Sequence, residues 1–265
     1  MQYYLQQITP VILTLNEEDN IGRTLRSLSW AQRVVIVDSG SSDQTERIAA
    51  SYSNVDWHER AFDSHASQWE FAIRQTGITS KYVLALDADM QTSDEFVREM
   101  EQHFLPSELN AGSVPFKHWV LGRPMARTLV PPQLRVFCRD LVSIQQTGHT
   151  QAFTAPPPVY RFGSAVIHDD RKALERWVQS QIGYSRLEYD RIAVLTKGSL
   201  KDKLRRMALM PLAAAAVAYI LAGGPLRGSS SLCYALERLT YESLLAMRVL
   251  RGACHSDSER THCDE

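Results

Sequence analysis

The feature that most constrains the fold is an alternation of apolar runs and amphipathic segments over the first hundred residues. The apolar runs are short and hydrophobic at consecutive positions, as in RVVIVD at 33–38. Strands that are apolar on both faces are typical of a parallel sheet covered by helices on both sides. We therefore predict an α/β fold with a mostly parallel sheet flanked by helices. The predicted strands are 8–15, 33–38, 55–59 and 81–89, and the predicted helices lie within 16–28, 39–52, 64–76 and 92–105.

The second half of the chain is less regular. The predicted elements are strands at 113–122, 133–140 and 164–170, mostly loop at 145–163, a long helix at 171–195 and a last helix at 231–250. In the long helix, apolar residues at helical spacing predict the buried side, namely Leu174, Trp177, Ile182 and Leu187. We expect an α/β domain at 1–195, a helical extension at 196–250 and a disordered polar tail at 251–265.

Composition narrows the class of protein. The chain has 265 residues, a hydrophobic fraction of 44% and a formal net charge of -1. That length allows one large domain with an extra element, and the balanced charge gives no field for nucleic acid. The first residues, MQYYLQQITP, carry neither a basic region nor a small-residue cleavage site, so we expect a cytoplasmic protein.

A charge-free stretch at 207–226, MALMPLAAAAVAYILAGGPL, follows a segment at 197–206 with five Lys/Arg and one Asp. Pro211 and the Gly-Gly-Pro cluster at 223–225 leave only a short uninterrupted helix. Three interpretations stay open at this point: a buried helical hairpin, a helix lying on the cytoplasmic face of the inner membrane beside anionic headgroups, and a true span.

Acidic side chains stand at the ends of two predicted strands. Asp38 ends one, and Asp87 and Asp89 end another. Ligands of such sheets bind beyond the carboxyl ends of the strands, so these groups are expected in one crevice. Two close carboxylates repel each other, and a divalent cation removes that cost. Oxygen ligands suit Mg²⁺ or Mn²⁺, which bind carboxylates together with substrate phosphates. The D-x-D pattern therefore predicts metal-assisted chemistry on a nucleotide diphosphate.

Four segments together resemble the family-2 glycosyltransferases, which have the GT-A fold. They are VILTLNEEDNIGRTLRSL (11–28), VVIVDSGSSDQTERIA (34–49), SQWEFAI (67–73) and YVLALDADM (82–90). The order and spacing agree, and the match covers roughly residues 8 to 100. The resemblance implies a GT-A (Rossmann-like) domain, and we expect the helical extension to follow it.

The resemblance also implies roles for single residues. Leu15 and Glu17 would border the nucleotide base, and Asp38 would contact the base or ribose. Asp87 would lie near the ribose and the metal, and Asp89 would be the direct metal ligand. For Asp38 and Glu17 the alternative is a helix cap or a solvated loop.

The second half resembles the lipopolysaccharide-core branch of this family, through FKHWVLGR, PPQLRVFCRD and VIHDDRKALERWVQSQIGYSRLE. Those enzymes attach a sugar to a glycolipid at the inner membrane face. The resemblance implies that His168 completes the metal or diphosphate site, and its alternative is an edge histidine bonded to a neighbouring aspartate. Arg135 would reach a phosphate; otherwise it is a surface charge on a strand.

The catalytic base is where the resemblance breaks. An inverting transfer needs a group that takes the proton of the acceptor hydroxyl. Relatives place an acidic residue where this chain has T-G-H-T-Q at 147–151. His149 is one candidate base, and Asp169 or Asp170 is another. A lipid-phosphate acceptor would need no base, and loss of activity is the remaining alternative.

These observations predict an inverting glycosyltransferase that uses Mg²⁺ or Mn²⁺. The expected donor is a UDP-linked nucleotide-diphosphate sugar, and the expected acceptor is a cell-envelope glycan or glycolipid. The alternatives are a polyprenyl-phosphate glycosyltransferase and an inactive module that binds nucleotide sugars. A nucleotidyltransferase is disfavoured, because the acidic residues at 14–20 replace the glycine-rich phosphate loop that it would need.

Overall fold

A computed structural model describes residues 4–147, 150–195 and 198–261, with the backbone alone from 253 onward. The chain forms two compact units. The first contains the described residues up to Gly122 together with Val130–Gln146 and Thr150–Lys172. The second contains Arg123–Leu129, residue 147 and the described residues from 173 onward.

The strands are defined as follows. They are β1 (Ile8–Thr14), β2 (Val34–Asp38), β3 (Val55–Glu59), β4 (Tyr82–Asp87), β5 (Met90–Gln91), β6 (Ala111–Val114), β7 (Phe116–Val120), β8 (Arg123–Pro124), β9 (Gln133–Cys138), β10 (Ser143–Thr147), β11 (Thr150–Thr154), β12 (Val159–Arg161) and β13 (Val166–His168). The four strands predicted in the first half are confirmed as β1 to β4.

The helices alternate with the first four strands and then dominate the C-terminal part. They are α1 (Ile21–Ser27), α2 (Thr45–Ala49), α3 (His65–Arg74), α4 (Asp94–Glu99), α5 (Leu105–Ser107), α6 (Leu174–Val194), α7 (Leu200–Arg206), α8 (Met210–Ala222) and α9 (Ser229–Thr261). A π-helical stretch, Met100–Phe104, joins α4 to α5. The side chains of Ser64 and Ser93 begin α3 and α4 by accepting hydrogen bonds from the backbone N–H three residues on.

The central sheet of the first unit has the order β12-β6-β9-β4-β1-β2-β3. Four of its six neighbouring pairs are parallel, and the pairs of β9 with β4 and β6 are antiparallel. The predicted mostly parallel α/β fold is therefore confirmed. The chain runs from β1 outward to β3 and then returns to place β4 on the other side of β1. This reversal makes the carboxyl ends of β1 and β4 a topological switch point, where open α/β sheets bind ligands.

Apolar side chains cover both faces of this sheet. On one face Ile12 packs in a core with Ile21 and Leu25 of α1. On the other face Val11 packs in a core with Trp69 of α3. Because successive strand residues point to opposite faces, a continuous apolar run supplies both cores, as the sequence predicts.

Two predictions about the second half were wrong in detail. The segment at 113–122 is two strands, β6 and β7, which separate at Pro115 and join different sheets. The segment at 145–163 contains β11 and β12 and most of β10, whereas mostly loop was predicted. These strands are three to five residues long, their residues are half-buried or exposed, and β12 is an edge strand, so hydrophobic periodicity gave little signal for them.

Within the first unit, β5, β13 and β7 lie side by side in a smaller sheet. His168 at the end of β13 is in register with Met90 of β5 and with His118 of β7. The imidazole rings of His118 and His168 contact each other at an interplanar angle of 35°, with centroids 4.6 Å apart. This sheet places His168 beside the residues that follow β4.

In the second unit, the buried positions of α6 are not the ones predicted, and of the four predicted residues Trp177 alone is half-buried. Leu174, Ile182 and Leu187 are exposed, and the buried positions are polar or charged apart from one isoleucine: Gln181, Ser185, Glu188 and Ile192. The buried side of α6 carries the ion pairs of Glu188 instead of the predicted apolar stripe. The last helix ends at Thr261 rather than near residue 250, and 262–265 lie outside the described residues.

The charge-free stretch forms α8 and most of a turn of 3₁₀ helix at Gly224–Arg227. Helices α8 and α9 pack along each other, with Ala214, Ala218 and Ala222 buried. Within the described residues, none of the helices is both long enough and apolar enough to cross a bilayer. The division into domains at 195 stays a prediction, because a compact unit need not fold independently.

Candidate active site

Aspartates stand at the carboxyl edge of the central sheet on both sides of β1. Asp38 of β2 is in register with Thr14, and Asp87 of β4 is in register with Leu13. Neighbouring strands are about 4.8 Å apart, so the two aspartate backbones lie roughly 10 Å from each other. Both predicted residues therefore stand at the switch point that the topology creates.

Asp89 lies in the turn between β4 and β5. Its carbonyl accepts a hydrogen bond of 3.1 Å from the backbone N–H of Asp169, which fixes the turn against the end of β13. Its side chain is buried, and Oδ1 accepts no hydrogen bond from the described residues. His168 Nε2 lies 3.5 Å from Oδ1. An uncompensated carboxylate oxygen of this kind is costly unless a cation or a donor group reaches it.

Lys172 lies among three acids that the fold brings together. Its Nζ is 2.9 Å from Glu17 Oε1, 3.3 Å from Asp170 Oδ1 and 3.9 Å from Asp89 Oδ2. Asn20 Nδ2 bridges two of these acids, donating to Glu17 Oε2 at 3.0 Å and to Asp170 Oδ1 at 2.9 Å. We call these four charged residues, Glu17, Asp89, Asp170 and Lys172, the acidic cluster.

Electrostatics differ among the acidic cluster. Burial raises the pKa of Glu17 to about 7, and the charge of Asp89 adds to that effect against the opposing pull of Lys172. For Asp170, burial opposes ionisation, but Lys172 and hydrogen bonds outweigh it and lower its pKa. For Lys172, burial opposes the charged form, but the three carboxylates outweigh it and raise its pKa. The lysine is therefore a permanent cation at neutral pH.

Arg135 of β9 reaches the first aspartate of the D-x-D pattern. Its Nη2 is 3.2 Å from Asp87 Oδ2, and its guanidinium lies over the ring of Phe116 at 5.4 Å. Burial opposes ionisation of Asp87, but the guanidinium outweighs it and lowers the pKa of that carboxyl. The Asp87 side chain is still 44% exposed, so it can face a ligand while Arg135 holds it.

Asp169 is held by two guanidinium groups. Its Oδ2 is 2.6 Å from Arg23 Nη1 and 2.8 Å from Arg171 Nη2. Arg23 also donates to the carbonyl of Asp169 at 3.0 Å and to Asn20 Oδ1 at 2.6 Å. These contacts fix the segment after β13 and engage the carboxylate that a base would have to use.

Asp38 organises the loop after β2. Its carboxylate accepts hydrogen bonds from Thr14 Oγ1 at 2.8 Å, from the N–H of Gly40 at 2.8 Å and from the N–H of Ser41 at 2.6 Å. Ser41 Oγ in turn accepts from the N–H of Asn16 at 2.7 Å. The loops after β1 and β2 are thus tied together. Leu15, between them, is about half exposed.

The structure brings Glu17, Asp89, His168 and Asp170 together. Asp87 and Arg135 form an ion pair with each other. Asp38 and Leu15 lie in the loops at the same sheet edge. His149 lies outside the described residues. The roles assigned to all of these residues stay predictions.

The residues present fit a divalent cation with few protein ligands. Among the residues that the structure describes, no cage of three or more acidic, histidine or cysteine side chains converges on one point. Asp89 with its unbonded Oδ1 and His168 with its Nε2 are the two ligands that the geometry offers. Mg²⁺ is commonly bound through one or two carboxylates, with substrate phosphates completing the shell.

Sequence reasoning missed Lys172, Asn20 and Arg23. The run H-D-D-R-K at 168–172 was a usable signal, because two cations directly follow the acids at a strand end. The contact of Asn20 with Asp170 joins positions 150 residues apart, and local spacing gives no sign of it.

Comparison with known proteins adds three findings. The model of glycosyl transferase family 2 matches residues 9–152. The lipopolysaccharide core biosynthesis glycosyltransferase LpsC of Rhizobium meliloti (strain 1021) is 33% identical over 120 residues, which are 44% of this chain and 42% of that protein. The chain thus matches less than half of the length of this curated relative.

Solved structures share the fold at low sequence identity. TarS 1–349 of S. aureus, in complex with UDP-GlcNAc, has a TM-score of 0.51 and 15% identity, covering 93% of this chain and 92% of that chain. A longer TarS structure has a TM-score of 0.50 and 14% identity, covering 90% of this chain and 55% of that chain. These neighbours have the GT-A fold, which the sheet order found here also shows. The family match extends over more than half of the chain and includes Glu17, Asp38, Asp87, Asp89 and Arg135. The chain therefore belongs to glycosyl transferase family 2.

Proposed function

We propose that this protein is an inverting, metal-dependent glycosyltransferase that moves a sugar from a UDP-linked donor to a cell-envelope glycan or glycolipid. The observation that carries this proposal is Asp89, whose buried Oδ1 accepts no hydrogen bond from the part of the chain that the structure describes and lies 3.5 Å from His168 Nε2 at the carboxyl edge of the sheet. A buried acid with a free oxygen beside an imidazole suits a cation-binding role better than a structural one.

The choice of donor and acceptor class is supported by what the similar proteins bind or make. TarS is described in complex with UDP-GlcNAc, and LpsC is named for lipopolysaccharide core biosynthesis. The proposal extends these two features to the present chain at the level of class. It names no particular sugar.

The bound cation would neutralise the diphosphate and make it a better leaving group. Asp89 and His168 would hold it, and Arg135 keeps Asp87 ionised and oriented toward the donor. The loop that Asp38 ties together would receive the nucleoside, with Leu15 and Glu17 on its other side. In a single displacement, the acceptor oxygen attacks the anomeric carbon from the face opposite the leaving diphosphate, which inverts the configuration.

The catalytic base is chosen among three candidates, and the two that the structure describes are disfavoured. Asp169 is disfavoured, because two guanidinium groups already contact its Oδ2. Asp170 is engaged by Asn20 and Lys172 and has a lowered pKa, so it is a weak base in this arrangement. His149 therefore remains the candidate we propose for an alcohol acceptor. A phosphate acceptor would be ionised already and would need neither group.

The function is tested by release of UDP from a panel of UDP-sugars in Mn²⁺, in Mg²⁺ and in EDTA. We expect slow metal-dependent hydrolysis of one donor and faster release when a lipopolysaccharide-core fragment is added. Calorimetry with UDP and Mn²⁺ separates the rival possibility. Binding with no turnover would support an inactive binding module, and full turnover in EDTA would contradict the metal role.

The acceptor class also implies a surface that meets lipid, and α8 supplies a candidate. Its 13 residues are about 20 Å long, too short for a hydrocarbon core of about 30 Å. One face packs on α9 through alanines, while the other leaves Leu212 and Ile220 exposed at 78% and 72%. Lys203 and Arg206 are exposed on α7 just before it. An exposed apolar stripe next to cations is typical of a helix that lies on an anionic membrane surface. One part of the basic segment does not contribute, because Arg205 is buried in ion pairs.

Flotation with vesicles of phosphatidylcholine, with and without phosphatidylglycerol, tests this surface. We expect flotation that needs the anionic lipid, and loss of flotation in the double variant Leu212→Asn and Ile220→Asn. Leu174→Asn is the matched control, since Leu174 is equally exposed on α6 and lies outside the stripe. If the native protein does not bind vesicles and is instead a dimer that dissociates in the double variant, the stripe is a contact between two copies and the lipid proposal fails.

A further inference from the structure

Lys172 occupies a position that the proposed reaction does not explain. The proposed metal ligand Asp89 is already 3.9 Å from this ammonium group. The same group makes its shorter contacts to Glu17 and Asp170, at 2.9 Å and 3.3 Å. Only 15% of its side chain is exposed, so the cation is held inside the site rather than drifting at its rim. A divalent ion on Asp89 would therefore meet a fixed like charge.

The geometry points to Lys172 as a resident cation that competes with the divalent metal for Asp89, so that the metal binds tightly only together with the donor diphosphate. This inference deepens the proposed function and rests on its assignment of Asp89 as a metal ligand. Before the donor arrives, the ammonium partly balances the three acids of the cluster. When the diphosphate enters, it brings negative charge that both cations can share, and their mutual repulsion is offset.

Two features favour competition over a purely structural role for Lys172. The ammonium is 3.9 Å from Asp89 Oδ2, beyond hydrogen-bond distance, and Oδ1 accepts no hydrogen bond from the described residues, so the carboxylate stays available to a second cation. Asn20 already joins Glu17 to Asp170 by hydrogen bonds at 3.0 Å and 2.9 Å. The local structure of the two segments therefore has a second tie, and the position of the charge is the more specific contribution of Lys172.

The test is a titration with Mn²⁺ in the absence of any nucleotide. Electron paramagnetic resonance measures the free ion at each step and so gives the binding affinity. We expect weak binding by the native protein and about tenfold tighter binding by Lys172→Met, because a like charge next to the ligand has been removed. Lys117→Met is the matched control. Lys117 is an exposed lysine on β7 of the first unit, so this change removes the same charge at a position outside the acidic cluster.

Two further measurements locate the effect. The gain in Lys172→Met should vanish in the double variant Asp89→Asn and Lys172→Met, and a gain that persists there would overturn the inference. In the native protein, UDP should tighten Mn²⁺ binding about tenfold, and Lys172→Met should reduce this synergy, since the metal no longer waits for the diphosphate. Lys172→Arg, which keeps the charge, should bind Mn²⁺ alone as weakly as the native protein and serves if the methionine variant does not fold.

The outcomes separate this inference from the function on which it rests. Mn²⁺ that binds with UDP but has the same affinity for native protein and Lys172→Met overturns the competition and leaves the metal role intact. The absence of Mn²⁺ binding by every variant, with or without UDP, contradicts the metal role itself. A gain of similar size in Lys117→Met also overturns the inference, because the effect would then be one of overall charge.

Discussion

Each of the two units contains a group of buried charges. The two groups differ in whether all of their carboxylate oxygens accept a hydrogen bond. In the second unit, Glu188, Asp202 and Glu242 surround Arg191 and Arg205. We call these five residues the second-unit network. Every carboxylate oxygen of those three acids accepts a hydrogen bond, several of them from forked guanidinium contacts. In the first unit, the acidic cluster has three carboxylates around one ammonium, and Asp89 Oδ1 accepts no hydrogen bond from the described residues.

This difference separates charges that hold a structure from charges that await a ligand. Buried ions are costly to desolvate, and a network in which every oxygen has a donor recovers that cost from within the fold. A cluster with a free oxygen and excess negative charge does not recover it until a cation arrives. We therefore expect substitutions in the second-unit network to affect stability and substitutions in the acidic cluster to affect activity.

The largest expected effect is on activity, in Asp89→Asn. The change removes the charge that would hold the cation while keeping the shape of the side chain. We expect donor turnover to fall by about a thousandfold or more, which corresponds to roughly 4 kcal/mol of lost transition-state stabilisation. Thermal stability should stay the same or rise, since the unbonded buried charge is gone. Turnover of UDP-sugar and melting by circular dichroism are the two measurements.

Asp140→Asn is the control for that variant. Asp140 is an exposed aspartate of the same unit, with 70% of its side chain accessible, and it should change neither quantity. Full turnover in Asp89→Asn, or a loss of several kcal/mol of stability, would contradict the expectation that Asp89 serves activity rather than stability.

The next effect is on stability, in Arg205→Met. Arg205 Nη2 contacts Glu242 Oε1 at 2.5 Å and Nη1 contacts Glu188 Oε1 at 2.5 Å, with both side chains of each pair almost fully buried. Removing the guanidinium leaves Glu242 charged and unpaired. The free energy of unfolding should fall by about 3–5 kcal/mol, as when one partner of a buried ion pair is removed. Urea denaturation at neutral pH measures it.

A double variant sharpens this result. Glu242→Gln added to Arg205→Met should restore part of the lost stability, because the orphaned charge is removed along with its partner. Lys203→Met, at an exposed position of the same helix, should cost little. A loss in Arg205→Met no larger than in Lys203→Met would show that the network contributes nothing that an exposed charge does not.

The same contrast explains how much of the molecule the sequence could predict. The strands β1 to β4 and the faces of α1 and α3 were predictable, because their burial is apolar and follows the periods of a strand and a helix. The buried face of α6 was not, because its core is a polar network, and the exposed Leu174 and Leu187 misled the hydrophobic pattern. Periodicity identifies apolar cores and gives no sign of cores made of ion pairs.

The candidate site divides in the same way. Strand ends are local features, so Asp38, Asp87 and Asp89 could be placed at the sheet edge from the sequence. The partners that finish or fail to finish these charges come from distant segments. Arg135 reaches Asp87 from a strand 48 positions away, and Asp170 meets Asn20 from 150 positions away. No local pattern ranks one such contact above another. The run at 168–172 places Lys172 beside acids, but its contacts to Glu17 and Asp89 were found only in the structure.

The smallest effect we predict is a pH dependence confined to the second-unit network, through Asp202. Burial opposes ionisation of this acid, but hydrogen bonds from Ser199 and Arg191 outweigh it and lower its pKa to about 2. A lowered pKa in the folded state contributes stability that is present above the ordinary value near 4 and is lost as the pH falls through the folded value. Asp202→Asn should therefore be less stable than the native protein by roughly 2 kcal/mol at pH 7, with the difference constant down to about pH 5 and shrinking toward pH 2. Urea denaturation of both proteins over this range gives the difference, and a carbon-13 titration of the side-chain carboxyl gives the pKa directly. A difference that does not change with pH would mean that Asp202 acts through its shape rather than its charge. The ion pairs of Asp202 would then contribute nothing to the stability of the second unit.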